Sequence, residues 1–197
     1  MRVFMLAALI ILSLTTLPGC AVESDRFGRV GSWVSGDSPR NSTAAPPPAL
    51  SDIDTAILAW ARDDELFIRV SRSCHTVDVF RWGHRVRRYP AVFGMQTDGG
   101  KLHEGDRRTP TGFYVIIDKR RHRRWARFLL IDYPNSTDAY RYAQAVEAGT
   151  IPRRRGRTPG IGGAIGFHGS DKEELNRQGI DWTLGCISLT NEDIIDL

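Results

Sequence analysis

Apolar residues are distributed along this chain in three regimes. Val3 to Leu14 is almost unbroken hydrocarbon, Ala21 to about Leu50 has hardly any apolar periodicity, and from Glu65 onward short apolar runs alternate with polar positions. The last regime has the period of strands, whose successive side chains face opposite sides. Leu66-Phe67-Ile68-Arg69-Val70, Val77-Asp78-Val79-Phe80 and the run from Val86 to Phe93 predict three strands joined by tight turns, one of them holding Gly83. Further strands are expected at Gly112 to Ile117, Phe128 to Asp132 and Ile165 to His168. Helical spacing appears twice, in Ser51 to Ala61, through Ile53, Ile57, Leu58 and Trp60, and in the Ala-rich Thr137 to Ala148. The expected fold is mostly β with one or two short helices.

The first regime does not read as part of that fold. Arg2, the apolar run to Leu14 and the short stretch to Gly19 have the layout of a secretory signal, and the run is shorter than the ~20 apolar residues a spanning helix needs. It ends in Leu17-Pro18-Gly19-Cys20, which resembles the box at which bacterial lipoproteins are cut and lipidated on cysteine. The domain organisation expected is a signal at residues 1–19, a lipidated Cys20 with a Ser-, Gly- and Pro-rich linker to residue 50, and a folded domain over 51–197. The expected location is the periplasmic side of the cell envelope, with the membrane as a partner through the N-terminal lipid.

Charge changes little in this picture. A formal net charge of +4 is too mild to argue for nucleic acid, although basic residues gather between Lys119 and Arg127 and again at Arg153, Arg154, Arg155 and Arg157. A solvated face explains such clusters; attraction to anionic envelope polymers or headgroups is the alternative. His75, His84, His103 and His122 lie in polar or basic surroundings without metal-ligand spacing, so no metal and no organic cofactor is expected.

Two loops are long for plain connections, Gly94 to Pro110 and Thr150 to Gly163, and such loops on a small β domain often border a site. The candidate chemistry stands near the C-terminal end, where Phe167-His168-Gly169-Ser170 is followed after a loop by Asp181-Trp182-Thr183-Leu184-Gly185-Cys186-Ile187-Ser188. A thiol becomes an effective nucleophile when an imidazole takes its proton and a third group holds that imidazole in one tautomer. His168 and Cys186 meet the first requirement, and the third group is open between a backbone carbonyl and a side chain. Gly185 permits a close backbone approach, and amides around Gly185 and Cys186 are candidate donors to an oxyanion. Asp106 and Arg108 are expected to order their loop rather than face the substrate, and Trp182 to pack beside the nucleophile turn rather than serve as a substrate platform.

These residues resemble the catalytic motif of the L,D-transpeptidase (YkuD) family, in which His-Gly is followed after a loop by Ser or Thr, one variable residue, Gly-Cys and an apolar residue. His168-Gly169 and Thr183-Leu184-Gly185-Cys186-Ile187 match it. Glu104 to Tyr114 and Ile131-Asp132-Tyr133-Pro134-Asn135 are similar to two further segments of that domain, so the resemblance spans roughly Glu65 to Leu197. Ser188 stands where many members have arginine and Leu184 where they often have a second histidine. The run from Cys186 to Asn191 looks more like the YafK-like branch. Members commonly continue further beyond the motif than Leu197.

The resemblance implies a β-sandwich or barrel whose Cys186 is the nucleophile and His168 the base, with Gly185, Gly169, Thr183 and Ser188 at the substrate or oxyanion. It implies as substrate the stem peptides of peptidoglycan, attacked between the L-centre of diaminopimelate and a terminal D-alanine, with transpeptidation or hydrolysis as the outcome. Other readings are a wall hydrolase or amidase of the same fold, a wall-binding lipoprotein without catalysis, and an enzyme stored inactive by a Cys74–Cys186 disulfide.

Overall fold

The computed structural model describes residues 9–13 and 66–197, Gly83 excepted. The tether, Cys20, the turn residue Gly83 and the helix expected at residues 51–61 lie outside the described residues. Eight strands are described: β1 (Leu9–Ser13), β2 (Leu66–Ser71), β3 (Thr76–Arg81), β4 (His84–Pro90), β5 (Gly112–His122), β6 (Ala126–Ile131), β7 (Gly166–His168) and β8 (Ile187–Ser188). Three helices accompany them among the described residues: α1 (Ser136–Glu147), α2 (Glu173–Arg177) and α3 (Asn191–Asp196). None is long and apolar enough to cross a membrane.

The strand order is β4-β3-β2-β1-β5-β6-β7-β8. β5 divides it into two sheets, because its first residues pair with β1 and its later ones with β6, with a register shift between Ile116 and Asp118. A bulge of this kind bends a strand and lets it serve two sheets. The mostly β expectation holds, among the described residues, as a two-sheet sandwich without closure into a barrel, with three helices rather than one or two. Residues Leu9–Ser13, inside the run read as an export signal, form β1 between β2 and β5.

The alternation seen in the sequence places Val70, Val77, Tyr89, Tyr114, Ile131, Phe167 and Ile187 in one buried cluster between the layers. α1 starts one residue before its predicted bound because Asn135 caps it, in a reciprocal box with Asp138. Asp138 also accepts the hydroxyl of buried Tyr114 at 2.9 Å, which fixes the helix against β5. Thus the segments around Asn135 and Tyr114 lock one another.

The loop from Gly94 to Pro110 is held from within and from below. Arg72, buried at the end of β2, donates to the carbonyls of Gln96, Thr97, Gly99 and Thr109 at 2.5–3.4 Å. Inside the loop, Lys101 and Asp106 form a buried ion pair at 2.8 Å, with side chains 4% and 3% exposed. Asp106 also accepts the amides of Leu102, His103 and Arg108, so its expected loop-ordering role is met. Burial alone would raise its pKa, but the Lys101 ammonium and these three amides hold it below the usual carboxylate range.

An Asp106→Asn chain should therefore lose about 3–5 kcal/mol in urea unfolding at neutral pH, as expected when a buried pair loses one partner. A depressed carboxylate pKa contributes stability above the unfolded value of about 4 and loses it as pH falls through the folded value. The gap between variant and parent should accordingly narrow in acid. Equal stability at neutral pH would contradict this account of the loop.

Candidate active site

β7 lies between β6 and β8, antiparallel to the first and parallel to the second. His168 is opposite Phe128 on one side and Ser188 on the other. Strand alternation puts Cys186, two residues before Ser188, on the same face as His168. The base and the nucleophile expected from sequence thus lie toward one face, His168 on β7 and Cys186 immediately before β8, with the Cys186 thiol donating to the Ala164 carbonyl at 3.7 Å. Cys186 is a free thiol, so the storage disulfide with Cys74 is not formed.

The third group is a backbone carbonyl. His168 Nδ1 lies 2.5 Å from the Gly169 oxygen, and because a carbonyl can only accept, Nδ1 carries the proton and Nε2 holds the free lone pair. The ring is nearly fully buried and is stacked by Trp125 at 4.4 Å between centroids, with His122 stacked on the far side of Trp125. The tip of the β5–β6 hairpin therefore covers the imidazole. It is fastened there by the Gly169 amide donating to the Trp125 carbonyl at 3.1 Å and by Asp171, which accepts from Arg124 Nε and Trp125 Nε1.

Gly169 has no room for a side chain. A Cβ would meet the Asn191 amide oxygen, the Trp125 carbonyl and Ile194 inside contact distance. Its place in the motif follows from packing at the carbonyl that orients His168.

Thr183 builds the turn that presents Cys186. Its buried hydroxyl donates to the Cys186 carbonyl at 2.7 Å and accepts the Gly185 amide at 3.1 Å. Gly185 has φ +140°, and a Cβ there would also strike the Arg108 carbonyl. The turn is pinned to the strand-like segment after β4 through Thr183 and Phe93, and Asp181 accepts the Phe93 amide at 2.7 Å. Asp181 also faces His75 Nε2 at 3.2 Å, and that hydrogen bond raises the His75 pKa.

Electrostatics favour an uncharged resting pair. Burial raises the Cys186 thiol pKa, against a smaller opposing effect of the Gly166 amide and Lys101. Burial lowers that of His168, although the Gly169 bond works the other way. Thiol and neutral imidazole are the forms this environment stabilises.

Ser188 differs from the expectation of substrate contact. It is fully buried, accepts from Asn176 Nδ2 at 3.0 Å and points its hydroxyl at the Gly169 carbonyl at 3.5 Å. Trp182 packs as expected, edge-on to His168. Asn176 carried no sequence signal, since a lone Asn in a short polar helix reads as surface. Of the histidines outside the motif, His103 is buried and His122 is stacked on Trp125. Among the described residues no group of three or more His, Cys, Asp or Glu is arranged to hold a metal ion.

Thr183→Val keeps the volume and removes the hydroxyl, so it should cost about 1–3 kcal/mol in stability and speed hydrogen exchange at residues 184–186. Thr183→Ser should restore both. Unchanged exchange in the valine variant would show that the hydroxyl does not hold the turn.

The family profile described as the L,D-transpeptidase catalytic domain (YkuD) matches residues 65–197. No curated protein matches the chain. Among solved structures, Bd1075 of Bdellovibrio bacteriovorus is similar, with 21% identity and a TM-score of 0.44 over 68% of this chain and 43% of that one. The chain thus spans less than half the length of that protein. With the profile covering well over half of its residues, the chain belongs to the L,D-transpeptidase catalytic domain (YkuD) family.

Proposed function

We propose that the chain is a cysteine-dependent L,D-transpeptidase acting on peptidoglycan stem peptides through an acyl-enzyme on Cys186. The observation that carries this reading is the His168 imidazole fixed by Gly169, with Nε2 left as base, on the same face as a free thiol.

The sequence of bonds follows from those protonation states. Nε2 takes the Sγ proton as sulfur attacks the carbonyl of the bond preceding the terminal D-alanine, giving a tetrahedral oxyanion and an imidazolium. Collapse breaks the C–N bond, and the imidazolium proton goes to the leaving amine. An incoming amine, or water, then attacks the thioester and gives its proton to Nε2, which returns it to sulfur. Of the two amides expected at the oxyanion, that of Gly185 is committed to Thr183 Oγ1, which leaves the Cys186 amide for the task.

The loop from Gly94 to Pro110 meets this turn where the Arg108 carbonyl approaches Gly185, so ordering of that loop by Arg72 and Asp106 supports the same geometry. The sequence supports the setting: an export signal, a lipid on Cys20 and a tether would place the domain against the wall on the periplasmic side.

Incubation of the full chain with tetrapeptide-bearing wall fragments should give, by mass spectrometry, a stem-peptide adduct on Cys186 with loss of D-alanine. Cys186→Ala should give none, and His168→Gln should slow adduct formation by about 10²–10⁴-fold. A folded, reduced parent that forms no adduct and changes no fragment would overturn the acyl-transfer reading.

A further inference from the structure

α2 is five residues long, and its one buried residue is Asn176. Both ends of that amide are used. Trp182 Nε1 donates to Asn176 Oδ1 at 3.0 Å, and because an indole N–H can only donate, it fixes which end of the amide is oxygen. The other end, Nδ2, donates to Ser188 Oγ at 3.0 Å, and the Ser188 hydroxyl in turn faces the Gly169 carbonyl.

Two arms therefore run from Asn176 to the imidazole. One passes through Ser188 to the carbonyl that holds His168 Nδ1; the other ends in the Trp182 ring, set edge-on to His168 at 6.0 Å. The arms close a ring around the base. Every polar member except the indole is nearly or fully buried, where a hydrogen-bonded network is strong and a broken one costly. A residue needed for packing alone would be served by leucine, and aspartate would keep the acceptor for Trp182 but present no donor to Ser188.

We propose that Asn176 is a positioning residue for His168, holding the Ser188 hydroxyl on the Gly169 carbonyl and the Trp182 edge on the imidazole so that the base stays in its Nδ1–H tautomer. This deepens the proposed acyl-transfer site, but its test needs no substrate, so either can fail without the other.

The experiment uses the full chain, with ¹⁵N NMR of the His168 ring and the rate of Cys186 alkylation by iodoacetamide at neutral pH. In the parent the His168 signals should be those of one Nδ1–H tautomer. Asn176→Leu, Ser188→Ala and Trp182→Phe should each move them toward tautomer averaging and slow alkylation about threefold to tenfold, the scale of one or two lost hydrogen bonds. Ser188→Thr, which keeps a hydroxyl, should restore both readings, and Asn176→Asp should fall with the leucine variant. Trp182→Phe keeps an aromatic ring while losing the indole N–H and part of the ring volume, and because Trp182 is only half-buried it tests the relay even if the core variants fail to fold. Folded Ser188→Ala and Trp182→Phe chains with the parent's His168 signals and alkylation rate would overturn the proposal.

Discussion

The bond from His168 Nδ1 to the Gly169 carbonyl is the constraint on which the site depends. It is made at the end of β7, where Gly169 stands with no room for a side chain and its amide donates to the Trp125 carbonyl. The same residue thereby ties the hairpin of β5 and β6 over the imidazole. Pairing of His168 with Phe128 and Ser188 sets the strand register that puts Cys186 on the shared face. Shifting that register by one residue would send the side chain to the opposite side. The geometry of the site is thus a property of backbone pairing, reinforced by side chains.

Burial does opposite work on the two reacting groups. Water is excluded from the His168 ring by Trp125 and Phe128, so its cation is disfavoured, while the thiolate of Cys186 is disfavoured by the same scarcity of water. In the proposed acyl transfer, a pair in which both neutral forms are favoured would act by general-base catalysis at the moment of attack, not by storing a thiolate. Lys101 is the charge that opposes this tendency at sulfur. It is itself neutralised by Asp106 within the loop, which limits its pull.

Much of this was legible in the residues. Apolar runs located strands β2 to β6, although β4 buries only Tyr89 and the others do not alternate strictly, and α1 was displaced by one residue because its cap, Asn135, precedes the apolar period. The His168-Gly169 and Thr183 to Ile187 motifs located the site. By contrast, β8 has two residues and α2 five, too few to carry any period. Arg72 reads as a surface cation, yet its guanidinium is buried against loop carbonyls, partners that have no sequence signature. The group orienting His168 was invisible for the same reason, being main chain. Ser188 occupies a motif position that invited a substrate role, and its burial under Asn176 turns it inward.

The resting protonation of the pair is open to direct measurement, because ¹³C NMR of the Cys186 Cβ and ¹⁵N NMR of His168 can titrate both groups together in the substrate-free chain. With the thiol pKa raised and the imidazole pKa lowered, acidification should protonate His168 only below its ordinary range of about 6.5. The Cys186 signal should stay that of a thiol through neutrality and change only on the alkaline side of an ordinary cysteine. A Cys186 thiolate coexisting with a His168 imidazolium at neutral pH would contradict the account, because the site would then be built to hold charge rather than to exclude it.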